Sequence, residues 1–284
     1  MKHTELRRRF RAILGGDRCI SPVTIYDALS ARVAASVGHE VGLLAGSVTS
    51  STILGVPDLA LYTLTEMADQ VRRIMRVSEL SLLLDADNGF GNALNVMRAV
   101  QELEHAGVSA LTIEDSVLPA RFGTAPDTLE LVSVEEMIGK LRAALAARED
   151  SSLVIAARTA ALKAGTGDIV ERVKAYARTG VDAVFITGLK KFEDFEAVRA
   201  AVTLPVIVGT APAISRDQFA ARGVRIVLQG HPTIAAVVKA LRDTYTHLHE
   251  GGTPVALQPR IASADEMAQV TNAAAYEKMR ENYL

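Results

Sequence analysis

Ala106-Gly107-Val108-Ser109-Ala110-Leu111-Thr112-Ile113-Glu114-Asp115 carries three signals in one stretch. A glycine that closes a helical pattern can take the left-handed conformation found at helix C-termini. An uninterrupted apolar run follows at 110–113, as expected of a strand in a parallel sheet whose outer face is covered. Two carboxylates then stand where the strand stops. The same lead-in recurs at Thr179-Gly180-Val181 and Arg222-Gly223-Val224. Working outward, apolar runs at 19–23, 41–45, 80–84, 110–113, 153–156, 183–186, 205–208 and 226–228 read as strands. Helical periodicity fills the gaps, clearest at 65–77, 93–105, 134–148, 169–179 and 234–248. Eight such units in about 250 residues predict an α/β fold of the (β/α)8 TIM-barrel type. The rival, an open doubly wound sheet, usually places a glycine-rich fingerprint after its first strand. Here that position reads Val23-Thr24-Ile25-Tyr26.

The catalytic barrel is expected over residues 1–250. Beyond Gly251-Gly252-Thr253-Pro254, residues 263–283 read as one more helix, with Ser263 as N-cap and Asp265 and Glu266 in its first turn. Such a helix must bury its apolar side on its own barrel or on a neighbouring subunit.

The chain has 284 residues, 49% of them hydrophobic and 23% charged, with a net charge of −2. That balance leaves no basic footprint for nucleic acid. Its one cysteine, Cys19, permits no intrachain disulfide and suits a reducing compartment. The basic start at 1–16 lacks the apolar stretch of a secretion signal. The apolar run at 80–84 meets Asp85 and Asp87 at once, and no membrane-spanning run exists. A cytoplasmic protein without membrane or nucleic-acid partners is expected.

In a barrel the active site lies at the C-terminal ends of the strands. Those ends carry Gly46-Ser47 after strand 2, Asp85-Ala86-Asp87 after strand 3, and Glu114-Asp115 after strand 4. Arg158 follows strand 5, Thr210 strand 7 and His231 strand 8. Carboxylates crowded at one mouth repel each other unless a cation sits among them. Oxygen-only donors select Mg²⁺, or Mn²⁺, over zinc. On an extended segment Asp85 and Asp87 would point to one side. One would ligate the ion, the other would hold a metal-bound water, and Glu114 would anchor them from behind. Asp115 reads as a structural carboxylate. Arg158 must meet either the acidic cluster, Glu114 included, or an anionic substrate. The turn at 46–51 offers backbone N–H groups to a carboxylate, and His231 could orient substrate or move a proton. The other histidines read as surface.

The string Asp85-Ala86-Asp87-Asn88-Gly89-Phe90-Gly91-Asn92, with Thr112-Ile113-Glu114-Asp115 and Ala156-Ala157-Arg158-Thr159, resembles the isocitrate lyase/phosphoenolpyruvate mutase superfamily. Gly46-Ser47-Val48, the segment from Asn92 to Arg98, the segment from Leu118 to Gly123, and Gly230-His231 are most similar to its oxaloacetate decarboxylase branch. The resemblance implies a barrel whose last helix is exchanged between subunits in a homotetramer (a dimer of dimers). It also implies Mg²⁺-assisted enolate chemistry on a small 2-keto diacid. By resemblance Asp85 binds the metal, Ser47 contacts the substrate carboxylate, and Arg158 and His231 contact substrate. The loop after strand 4 holds no cysteine, lysine or histidine, which argues against the cysteine-dependent lyases of the superfamily. Asn88, Ala160 and Thr210 depart from the decarboxylase pattern, and all three are expected near the mouth. The expected reaction is loss of CO2 from oxaloacetate to give pyruvate. The alternatives are a carbon–carbon lyase acting on a 2-hydroxy diacid, and a non-catalytic barrel that binds a keto acid.

Overall fold

The computed structural model describes residues 2–125, 128–165, 167–190, 192–211 and 214–284. Eight strands lie side by side in chain order: β1 (Val23–Thr24), β2 (Val41–Leu44), β3 (Ser81–Asp85), β4 (Ala110–Glu114), β5 (Val154–Thr159), β6 (Ala183–Ile186), β7 (Val206–Val208) and β8 (Val224–Val227). Every neighbouring pair is parallel. The ring closes just before β1, where Ile20 N donates to Arg225 O at 2.9 Å and Val227 N to Ile20 O at 3.0 Å. The (β/α)8 barrel expected from the sequence is the fold observed. Strand 1 is the one clear shift: its ladder starts at Val23, and only Ile20 of the expected run at 19–23 bridges to β8.

The glycine lead-ins do what their position requires. Gly107, Gly180 and Gly223 have φ of 108°, 97° and 82°, and each turns the chain from a helix into β4, β6 or β8. The helices Leu64–Val77, Ala93–Ala106, Val134–Ala147 and Ile169–Ala177 match the expected patterns closely. Two of them start on reciprocal caps, Thr63 with Glu66 and Asn92 with Asn95, which satisfy N–H groups left open in the first turn.

Side chains alternate across each strand, so the barrel has two cores. Leu82, Leu84, Leu111, Ile113 and Ile155 face outward into the helices. Leu43, Leu83, Ala110, Val154, Ala156, Phe185, Ile207 and Ile226 fill the lumen. Phe10 and Leu14 join the lumen core, because the helix Lys2–Gly15 closes the bottom of the barrel. Arg7 is buried there, bonded to Val108 O at 3.0 Å, Glu104 O at 2.6 Å and Asp150 Oδ2 at 2.8 Å. The basic start of the chain is therefore a plug.

At the other end of the chain, the expected single helix at 263–283 is two, Ala264–Thr271 and Ala273–Tyr283. They break at Asn272, which has a left-handed φ of 59°. The helix Pro232–His249 after β8 has no buried residue. Among the described residues no helix is long and apolar enough to cross a membrane.

Candidate active site

The inward parity that buries Leu83, Ala110 and Val154 in the lumen continues to the top of the same strands. Two residues past Leu83 stands Asp85; four past Ala110 and Val154 stand Glu114 and Arg158. Strand register pairs Glu114 with Arg158. The three side chains meet: Arg158 Nη1 donates to Asp85 Oδ2 at 2.5 Å, and Arg158 Nε lies 2.8 Å from Glu114 Oε2. That Nε is buried without an aligned hydrogen-bond partner, so the Glu114 contact is an ion pair. Arg158 thus meets the acidic cluster through both Asp85 and Glu114. Burial opposes its charge, but Asp85 and Glu114 outweigh this and hold the guanidinium firmly protonated. The guanidinium also lies 5.2 Å from the centroid of the Phe185 ring. Burial pushes the Glu114 carboxyl above its usual range, with Arg158 pulling the other way.

Outward parity explains Asp115. It is fully buried and accepts from Thr159 Oγ1 at 2.7 Å, Tyr176 OH at 2.8 Å, Arg172 Nη1 at 3.2 Å and Ala160 N at 3.2 Å. It ties β4 and β5 to the helix Ile169–Ala177, the structural role expected.

Asp87 departs from expectation. The extended segment ends at Asp85, and Asp87 has a left-handed φ of 47°. Its backbone N donates to Asp85 Oδ1 at 3.2 Å, while its carboxylate turns aside to accept from the Tyr62 hydroxyl. Burial, then the neighbouring Asp85, pushes the Asp87 carboxyl upward. Gly46 lies against this pair: a Cβ there would sit 2.5 Å from Asp87 Oδ1 and 2.8 Å from the Tyr62 oxygen. The stretch at 46–51 is also not a turn; Gly46–Thr49 is helical and continues as a π-helix over Ser50–Leu54.

A cavity of about 330 Å³ opens above Asp85 and Arg158. Ser47, Thr210 and His231 also line it, whereas Gly46, Asp87 and Glu114 do not. His231 Nδ1 is 2.9 Å from Thr24 Oγ1, and burial lowers its pKa. Of the three departures from the family pattern, only Thr210 reaches the cavity. Asn88 instead donates to Leu118 O at 2.7 Å, clasping the loop after β4, and Ala160 is buried against Asp115. Two further cavity residues, Asp58 and Lys163, escaped the reading by strand ends. Asp58 lies fourteen residues past the end of β2 and Lys163 four past β5; a search of whole βα loops for charge would have found them. His3, read as surface, has its Nδ1 buried, and a Cβ at Gly107 would lie 2.5 Å from its ring. Cys19, buried with its thiol pushed up to about 11 by desolvation, is a poor nucleophile.

The donor set suits a hard ion. Every acidic group near Asp85 is an oxygen donor, and buried carboxylates there outnumber the one guanidinium. Among the described residues no three ligating side chains converge on one point. Mg²⁺ does not need that, because it keeps most of its waters and uses one or two carboxylates.

The profile for phosphoenolpyruvate phosphomutase matches residues 10–249, most of the chain. The chain belongs to the phosphoenolpyruvate mutase/isocitrate lyase superfamily. Among superfamily relatives, the oxaloacetate decarboxylase of Bradyrhizobium diazoefficiens (strain JCM 10833 / BCRC 13528 / IAM 13628 / NBRC 14792 / USDA 110) is 49% identical over 267 residues, covering 93% of this chain and 92% of that one. A phosphonopyruvate hydrolase solved with oxalate and Mg²⁺ superposes with a TM-score of 0.86 at 29% identity, covering 98% of this chain and 99% of that one. A 2,3-dimethylmalate lyase superposes with a TM-score of 0.85 at 27% identity, covering 98% and 94%.

Proposed function

We propose that this chain is a magnesium-dependent carboxy-lyase that converts oxaloacetate to pyruvate and CO2. The observation that carries the reading is the cavity floor, where Arg158 and Asp85 lie side by side under a space lined by Ser47 and His231. The full-length relative called oxaloacetate decarboxylase supports the choice of substrate. Asp85 would hold the ion, with Asp87 and Glu114 behind it. When bound, Mg²⁺ supplies Lewis-acid stabilisation of the negative charge that develops on the C2 oxygen as CO2 leaves C4. Arg158 adds to that stabilisation: its Nη2 makes no hydrogen bond among the described residues, so one N–H edge remains for substrate oxygen. Asp85 and Glu114 fix the guanidinium in place, so it need not reorganise as charge develops. Ser47 would bind the C1 carboxylate. His231, held 2.9 Å from Thr24 Oγ1 and with its pKa lowered by burial, would orient substrate by hydrogen bonding.

The decisive measurement is CO2 release from oxaloacetate with Mg²⁺, set against a blank of equal free metal, since divalent ions promote this reaction unaided. Release above the blank supports the proposal. Glyoxylate or another aldehyde released from a 2-hydroxy diacid would replace it with a lyase, and oxalate binding without turnover would replace it with a binding protein.

The same reading includes a homotetramer with an exchanged helix. Val238, Leu241, Tyr245 and Leu248 of the helix Pro232–His249 are exposed, as are Leu29 and Val33 on the helix Ala28–Ser36. Apolar faces left open on one chain are covered if a second copy docks there. A cytoplasmic location, suggested by a single buried cysteine, completes the proposal.

A further inference from the structure

Arg158 cannot by itself receive a doubly charged substrate. Two of its nitrogens already face Asp85 and Glu114, and Asp58 adds a third carboxylate to the surroundings. Opposite that floor, Lys163 brings a second cationic side chain to the cavity wall. Lys163 is solvent-exposed, and its positive charge acts on Asp58 in the same cavity without a salt bridge closer than 4 Å among the described residues. The fold makes room for it. Gly188, at φ 82°, lines the same wall, and a Cβ there would lie 2.5 Å from Lys163 Cγ and 3.0 Å from its backbone N. The missing side chain lets the lysine stem lie against the loop after β6. Thr210, also solvent-exposed, lines the same cavity. A cationic donor and a hydroxyl donor lining one cavity can serve one carboxylate.

We propose that Lys163, with Thr210, is the subsite for the distal carboxylate of a four-carbon dicarboxylate and sets the preference for dianions. The proposal rests on the decarboxylase reading above and deepens it. Its energetics are specific. The distal carboxylate gives up its negative charge as it becomes CO2, so its attraction to Lys163 is stronger in the bound substrate than in the transition state. Such an interaction lowers KM and does not raise kcat. Lys163 is therefore a specificity residue, distinct in effect from Arg158.

The test compares the full-length parent with Lys163→Met and Lys163→Arg, all with Mg²⁺. Calorimetry measures binding of oxalate, which lacks the distal arm, and of malate, a four-carbon dicarboxylate that does not decarboxylate. Lys163→Met is expected to weaken malate about ten- to a hundredfold, the range for a hydrogen bond to a charged group. Oxalate affinity should stay as in the parent, KM for oxaloacetate should rise with the malate constant, and kcat should not fall. Lys163→Arg should restore malate binding. Equal losses for oxalate and malate, no loss for either, or a fall in kcat at constant KM would overturn the subsite. A parent that binds both ligands but releases no CO2 would sink the decarboxylase reading alone, leaving the malate-to-oxalate ratio to judge Lys163.

Discussion

Glu114 and Asp115 are neighbours in the chain, yet they face opposite sides of the sheet and do different work. Glu114 points into the lumen and pairs with Arg158; Asp115 points into the helices and holds Arg172 and Tyr176. Asp115→Ala should leave the buried Arg172 without its deepest partner and destabilise the fold by about 3–5 kcal/mol, the cost of breaking a buried pair. Urea denaturation measures this, and a loss below about 1 kcal/mol would contradict the assignment. Arg158→Ala should leave a folded protein whose metal-corrected turnover falls about 10²–10³-fold, as when a charge-stabilising donor is removed. Turnover near the parent's would show that the guanidinium serves the fold alone. Residue types at the strand ends were legible because parity is a property of the chain. The turning aside of Asp87 was not, because a positive φ and a tyrosine twenty-five residues away decide it.

Among the elements, the helix Lys2–Gly15 shows how a local reading can miss a role. Its arginines look like a solvated basic face, yet Arg7 is 5% exposed and bonded to Asp150. Burial would raise the Asp150 carboxyl, but hydrogen bonds from Arg7, Ser152 and Thr4 outweigh it and hold the group well below the usual carboxylate range. A carboxyl with a depressed folded pKa adds stability above its unfolded value, about 3.9. That stability is lost as pH falls through the unfolded value toward the folded one. Arg7→Ala should therefore lower stability at neutral pH and flatten its decline below about pH 4. Thermal unfolding across that range checks it; parallel pH curves for parent and variant would refute the link. The split of the last helix at Asn272 belongs to the same scale. The apolar pattern at 263–283 continues through the break, and only the left-handed backbone at Asn272 interrupts it.

At the scale of the whole molecule, the helix after β8 is the odd member of the outer ring. The helices Leu64–Val77 and Ala93–Ala106 each bury an apolar stripe, whereas Pro232–His249 buries none and touches β1 only near its start, where Thr233 Oγ1 donates to Thr24 O at 3.1 Å. If a second copy covers it, as proposed above, assembly is sensitive to charge on that face. The double substitution Leu241→Glu with Tyr245→Glu should lower the mass seen by light scattering without loss of far-UV ellipticity. An unchanged mass would remove this helix from the interface.

The sequence alone determined the order of strands and helices and put Asp85, Glu114 and Arg158 at strand ends, while its motif strings carried the resemblance to the superfamily. The order and the strand ends follow from short-range rules: a glycine that ends a helix and an apolar run that makes a strand. Tertiary structure alone decided that Asp87 turns to Tyr62, that Arg7 plugs the barrel, that Asn88 and Ala160 miss the cavity, and that Lys163 reaches it. Each of those outcomes depends on the path of a loop or on contact between segments far apart in the chain, and neither is encoded in the local spacing of residues.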